Sequence, residues 1–486
     1  MLMLEGTNFS FAKPSPFSNL ESLKTLSIDV NFVSMEPQSS FGNLRSLLHL
    51  KLTQTDQARD LGTVLSQIGD LQNLPRLELF GLDFSRTFFS SVAKLKSLRI
   101  LTLVDCSFTR PVLFGDLVAL TSLEISRCSF NGPIPSTIGN MTNLKSLNIE
   151  GCYLLGPIPS SIGKLMNLRS LGINYVNGNI GQIPSAVGNL SNLESLAIYE
   201  SEFSGPIPHS VGLLKKLILL RIRMCSLSGS IPSSISNLTH MIVLDLSSNV
   251  LNGELPAHVF TIPTLQHLRI QSNQIAASIQ DFNATSSRMV SLDLGTNKLT
   301  GNIPRSFFEL RSLAYLDIGW NKFVGSVDLS SFWRLENLVH LSLSNNNLSV
   351  MDMHGEGNNS ESTFLARVSN LKLRNCNLTG FPSSLAHLNQ MSYLDLSCNR
   401  MSGAIPKWIW VTWSSSLTYL NLSHNMLTVM QLNSYVLPFN WLQTLDLSSN
   451  QLQGQIPMPV PPAYILDYSN NLFSSVIKNF TLYLGY

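Results

Sequence analysis

A short apolar template repeats along almost the whole of this chain, and that repetition limits what it can fold into more than any other feature. The template reads Leu-x-x-Leu-x-Leu-x-x-Asn/Cys-x-Leu/Phe, with good copies at Leu98 to Phe108, Leu120 to Phe130, Met241 to Leu251 and Leu442 to Leu452. Its middle leucine recurs at positions 26, 50, 77, 101, 123, 147, 171, 196, 220, 244, 268, 292, 316, 341, 371, 394, 420, 445 and 466. These nineteen copies are 21 to 30 residues apart, mostly 24, and Leu2-Met3-Leu4 reads as the tail of a twentieth. A repeat array grows without new domains, so a length of 486 residues does not here imply several globular units. The expected organisation is a single array over residues 1–486.

Within Leu-x-Leu the leucines share one face and the intervening residue takes the other, as in a strand. One repeat cannot bury its leucines alone, but stacked neighbours can. The expected fold is therefore a leucine-rich-repeat solenoid, a right-handed superhelix of the α/β type. A parallel sheet lines its concave face, and short 3-10 helices and turns line the convex one. At about 4.8 Å per strand, nineteen copies would make roughly 90 Å of sheet. The Asn or Cys after each strand is expected to turn inward, where Asn can satisfy backbone groups that would otherwise be buried unpaired.

Many repeats continue as Leu/Phe-x-Gly-x-Ile-Pro, as in Phe130 to Pro135, Phe203 to Pro208, Leu227 to Pro232, Leu299 to Pro304, Met401 to Pro406 and Leu452 to Pro457. Gly permits a tight path and Pro interrupts hydrogen-bonded structure. With this half-repeat the sequence resembles the ectodomains of plant receptor-like proteins and receptor-like kinases. Trp408-Ile-Trp410 and the stretch from Leu466 through Asn471 are similar to disease-resistance receptor-like proteins, which lack a kinase. That resemblance implies an N-terminal cysteine-containing cap, further repeats, an acidic juxtamembrane segment and one membrane helix. None of these is present between Met1 and Tyr486, so the chain is expected to be cut at both ends. Family resemblance also implies a plasma-membrane location facing outward, although no signal peptide and no apolar run of about 18 residues is visible.

Composition bears on function mainly by exclusion. Charged residues make up 13% of the chain and the net charge is +2, which argues against a nucleic-acid partner. Cys106, Cys128, Cys152, Cys225 and Cys376 hold the inward Asn/Cys position and Cys398 precedes Asn399. Their spacing suits no zinc site, so no metal or other cofactor is expected. Asp245, Asp293, Asp317, Asp395, Asp446 and Asp467 recur in one register. They read as template, not as an acid/base pair, and no enzyme is expected. Ten Asn-x-Ser/Thr sequons support glycosylation and secretion: Asn8, Asn140, Asn189, Asn237, Asn283, Asn347, Asn358, Asn377, Asn421 and Asn479. Asn421 lies between two template leucines on the strand's outer face, so its occupancy should be lower. Residues 351–364, with Gly355-Glu-Gly357, read as a loop insertion.

The outward strand positions are where a partner would be read. Later repeats show the default Asp and Ser, as at Asp395 and Ser397. Earlier ones depart from it with Lys51, Arg76, Glu78 and Phe80, and then with Glu124, Arg127, Glu150, Asn174, Tyr175, Tyr199, Glu200, Arg221, Arg223 and Arg269. Tyr and Arg are enriched in binding hot spots. The expected ligand groove runs from Glu124 to Arg269, for a protein, peptide or oligosaccharide. A co-receptor kinase would join the full-length protein. The implied role is recognition of pathogen or damage signals in defence. The alternatives are a secreted inhibitor of microbial cell-wall-degrading enzymes and a non-signalling fragment or decoy.

Overall fold

The computed structural model describes residues 1–4, 10–11, 20–29, 34–35, 41–54, 68–84, 91–108, 114–352, 367–432, 436–459 and 463–475. The chain divides into two compact units, Met1–Leu251 and Asn252–Tyr486. Among the described residues the first holds eleven strands of parallel sheet, from Leu2–Leu4 to Val243–Asp245, and the second nine, from His267–Arg269 to Ile465–Asp467. Each of the nineteen template leucines lies in one of these strands, and Leu2–Leu4 supplies the twentieth.

Register follows the template without slippage. Leu26 stands opposite Leu50, Leu123 opposite Leu147 and Leu394 opposite Leu420. A shift of one residue would turn every leucine to the other face. These six leucines are 0–1% exposed, each contributing about 1.5–3 kcal/mol of burial. Phe84, Phe108 and Phe130 occupy the last template position in consecutive repeats and stack at 5.1 and 4.6 Å.

The return path is built by proline and glycine. Pro135, Pro159, Pro184, Pro208 and Pro232 precede five-residue 3-10 helices at Ser136–Asn140, Ser160–Lys164, Ser185–Asn189, His209–Leu213 and Ser233–Asn237. Each proline carbonyl accepts the first helical bond, for example from the Ile138 N–H at 3.0 Å. Proline suits this position, because its φ is preset and no N–H is needed there. Inside these helices a Cβ on Gly163 would stand 2.5 Å from the Ala186 carbonyl oxygen, and one on Gly188 2.4 Å from that of Ser210. Only glycine lets consecutive 3-10 helices lie this close.

The inward Asn/Cys position does what its chemistry suggests. In the second unit the Asn297 side chain donates to the carbonyls of Ile270, Leu294 and Gly295 at 3.0, 3.1 and 3.2 Å, and accepts the Ile275 N–H at 3.0 Å. In the first unit Cys106, Cys128 and Cys152 form a weaker version. The Cys106 N–H donates to the Cys128 sulfur and the Cys128 N–H to the Cys152 sulfur, both at 3.4 Å. Met351 closes the strand Asn347–Met351, and Asp352 accepts the Ser384 N–H at 2.8 Å. The rest of the expected insertion, 353–364, lies outside the described residues.

Candidate functional site

The five-residue strands of the first unit present three parallel rows of side chains. Strand register places Glu124, Asn148, Gly172, Ala197, Arg221 and Asp245 side by side in one row. Ser126, Glu150, Asn174, Tyr199 and Arg223 form the second. Arg127, Tyr175 and Glu200 do not lie on the strand face as expected from the sequence. Each is the first residue past its strand, at φ 50°, 53° and 47°, in a rim with Asp105 and Met224. The chain must turn immediately after each strand, and a left-handed residue makes that turn at a cost for any side chain.

Interactions sort these residues. The Arg127 guanidinium makes two hydrogen bonds to Asp105 at 2.7 and 2.8 Å, holding that carboxyl below its ordinary range. Arg127 therefore has its carboxylate already. The same holds nearer the N-terminus, where Arg76 pairs with Glu78 at 2.6 Å and the Lys51 ammonium sits 5.2 Å over the Phe80 ring. Around Tyr199 the situation differs. The Tyr175 ring meets it edge-on at 4.7 Å, and the Arg223 guanidinium lies 5.4 Å from its centroid. The Tyr175 hydroxyl raises the Tyr199 phenol above its ordinary value. Arg221 faces Asp245 at 3.6 Å, a carboxylate 1% exposed that also accepts the Ser247 hydroxyl at 2.6 Å.

Two buried polar atoms in this neighbourhood have no hydrogen-bond partner, Asn174 Oδ1 and Arg223 Nε, whereas Arg221 Nε faces the Asp245 carboxylate. Leaving such groups unpaired costs about 1–3 kcal/mol each, and a ligand that pairs them recovers that cost. Gly172 and Ala197 are the two small residues of the first row, and the Asn148 side chain lies over Gly172. A Cβ on Gly172 would stand 2.4 Å from Asn148 Oδ1. Sequence spacing alone does not show that Asn148 covers Gly172. The sequence reading missed Asp245 as a partner of Arg221, having taken it for template. Arg269 belongs to the second unit, on the strand His267–Arg269.

Of the sequons, Asn140, Asn189 and Asn237 each end a 3-10 helix and are exposed, as are Asn283, Asn347 and Asn377. Asn421 is 9% exposed, and its Oδ1 accepts both the N–H and the hydroxyl of Ser423 at 2.9 and 2.7 Å. Asn8, Asn358 and Asn479 lie outside the described residues. Among the described residues no helix is long and apolar enough to cross a membrane, and no group of three His, Cys, Asp or Glu is placed to hold a metal.

Stacked Leu-x-Leu strands, an inward Asn/Cys ladder and proline-started 3-10 returns define a plant-type leucine-rich-repeat solenoid. The leucine-rich-repeat family pattern matches residues 263–323 and, in single-repeat form, 119–141, 143–165, 216–238 and 441–461. The chain's sequence relatives are plant receptor-like proteins. It is 36% identical to receptor like protein 22 of Arabidopsis thaliana over 31% of this chain and 19% of that protein. The matched stretch is thus well under two thirds of the relative's length. Among solved structures it is similar to the Arabidopsis receptor kinase HAESA in complex with the peptide hormone IDA and the co-receptor SERK1. That similarity has 26% identity and a TM-score of 0.68, over 95% of this chain and 80% of that one. The plant peptide hormone receptor RGFR1 in complex with RGF2 shares the fold, with 24% identity and a TM-score of 0.74 over 96% and 73%.

Proposed function

We propose that this chain is a single ligand-binding array, the sensing part of a plant cell-surface receptor-like protein acting in defence. It binds rather than catalyses. The ligand is a peptide laid across the first unit's strands from Glu124 to Arg223, with Tyr175 at the rim, and its acidic or carboxylate group meets Arg223 beside the Arg221–Asp245 pair. The observation that carries this reading is the pair of buried atoms without a hydrogen-bond partner, Asn174 Oδ1 and Arg223 Nε, around the Tyr175–Tyr199 pair. Arginine and tyrosine are among the side-chain types that dominate binding energy at interfaces. The solved relative that holds a peptide hormone and a co-receptor supports a peptide ligand and a partner kinase for the full-length receptor. Exposed sequons at the ends of the 3-10 helices, away from the strand face, support a glycosylated protein facing the cell exterior.

The test is affinity capture. The full chain and its triple variant Tyr199→Ala, Arg221→Ala, Arg223→Ala are immobilised and exposed to peptides from the extracellular fluid of infected leaves. Peptides retained by the parent chain and lost from the variant support the reading; identical retained sets would sink it.

A further inference from the structure

The second row of the first unit's strand face carries opposite charges at its two ends. Glu150, Asn174, Tyr199 and Arg223 occupy the same register position on four consecutive strands. Among the described residues neither charged end stands in an ion pair. The Glu150 carboxylate accepts only the Asn148 amide, at 3.4 Å. The Arg223 guanidinium lies 5.4 Å over the Tyr199 ring, and its Nε has no hydrogen-bond partner.

Nearby charges do not neutralise these ends. Arg127, one turn residue beyond the strand next to Glu150, is held by both oxygens of Asp105. Arg221 faces Asp245 at 3.6 Å. Glu200 is exposed in the rim past Tyr199 and makes no ion pair with Arg223. Glu124, exposed on the strand beside that of Glu150, adds to the negative end. Between the ends lies Asn174, which is 9% exposed and keeps an acceptor, Oδ1, without a partner.

Strand spacing turns the row into a ruler. Three steps of about 4.8 Å span roughly 14 Å, which an extended peptide covers in four residues at roughly 3.4 Å each. Alternate residues of an extended chain share a face, so residues four apart both look at the sheet. On the reading of this face as a peptide site, we propose that it selects peptides carrying a basic and an acidic side chain four residues apart. The basic one, a lysine or arginine, meets Glu150, and the acidic one meets Arg223. A backbone N–H of the ligand between them donates to Asn174 Oδ1, which otherwise stays buried and unpaired. Charge-assisted hydrogen bonds at both ends are about twice as strong as neutral ones.

The probes are acetylated, amidated nonapeptides of Gly, Ser and Ala in which one Lys and one Asp stand two, four or six residues apart. Both termini are blocked, so no terminal charge competes. Each is titrated calorimetrically into the full chain at low ionic strength, beside a four-apart peptide with Gln in place of Lys. The four-apart peptide should bind about fivefold more tightly than the others and lose that advantage in salt. Glu150→Gln, which keeps an acceptor for the Asn148 amide, should bring the Lys peptide down to the Gln peptide and leave the Gln peptide unchanged. Arg223→Gln should weaken all of them. Thermal melts check folding, and Glu150→Gln with the Lys and Gln peptides carries the test alone if Arg223→Gln does not fold. No binding, equal affinity at the three spacings, or a Glu150→Gln chain that still prefers Lys overturns the ruler. If those peptides nonetheless bind and need Arg223, the peptide site itself stands; binding that Arg223→Gln leaves at the parental value overturns both.

Discussion

Replacing Asn297 by alanine tests whether the inward ladder holds the repeats together. The residue is 9% exposed, and its amide supplies two N–H groups to three carbonyls, those of Ile270, Leu294 and Gly295, within 3.2 Å. Its oxygen accepts the Ile275 N–H at 3.0 Å. Alanine removes three hydrogen bonds' worth of donors and acceptor, about 3 kcal/mol at about 1 kcal/mol net each, and the orphaned Ile275 N–H adds roughly 1 kcal/mol more. The first unit suggests a milder change. At the same template position the Cys106 thiol reaches the Val104 carbonyl at 3.3 Å and the Leu79 carbonyl at 3.6 Å, and the Cys128 sulfur accepts the Cys106 N–H at 3.4 Å. Asn297→Cys should therefore lose about half as much as Asn297→Ala, since a thiol is a weak donor and acceptor. Urea denaturation followed by circular dichroism measures both, from the midpoint at constant slope. A loss below about 1 kcal/mol for alanine, or a cysteine variant no better than alanine, would refute the ladder argument.

Three further outcomes follow from the same geometry. Burial opposes ionisation of Asp317, but the His340 imidazole, the Gly319 N–H and the Ser342 hydroxyl outweigh it and hold the carboxyl below its ordinary 3.8. Its contribution to stability is then fully present above the unfolded value and lost as pH falls through the folded one. The urea midpoint of the parent should therefore drop more steeply than that of Asp317→Asn once pH falls below 3.8. Gly163→Ala should cost about 1–3 kcal/mol in the same assay, since its Cβ would overlap the Ala186 carbonyl and backbone must move. Cys376 is fully buried and burial pushes its thiol up to about 12. A thiol reagent at neutral pH should label the partly exposed Cys398 and Cys225 first, and Cys376 only in urea; mass-spectrometric peptide mapping reads the order.

Much of the fold was legible because a leucine ladder with one spacing admits one solution. Every template leucine lies in a strand, and every Pro of the Gly-x-Ile-Pro signal between residues 130 and 232 starts a 3-10 helix. The site was legible in part. The sequence pointed to Tyr199, Arg221 and Arg223 as breaks in the default, and the structure brings them together on adjacent strands. It could not show that Arg127 is already engaged by Asp105, because the two are 22 residues apart and only the repeat register makes them neighbours. Nor could it place Arg127, Tyr175 and Glu200 past their strands, since template spacing fixes the leucines but not where the outer residues turn.

The same comparison explains what makes a strand face silent or available. An Asp followed by Ser two residues on satisfies itself: at Asp395 the N–H and hydroxyl of Ser397 both lie on one carboxylate oxygen, at 2.9 and 2.6 Å. Asn421 with Ser423 repeats that closure, which takes the side-chain oxygen of that sequon out of solvent along with its amide. Such a pair offers a partner little, because binding would have to break bonds as good as those it makes. The self-closed pair is broken where its members are replaced. In the first unit both members are replaced, by Arg221 and Arg223 on one strand and by Ala197 and Tyr199 on its neighbour. In the second the serine is replaced by glycine at 295 and 319, and Asp317 takes the Ser342 hydroxyl of the next strand instead. The aspartates share one letter in the sequence whichever residue supplies the hydroxyl. The informative letter stood two residues further on, and it was a glycine.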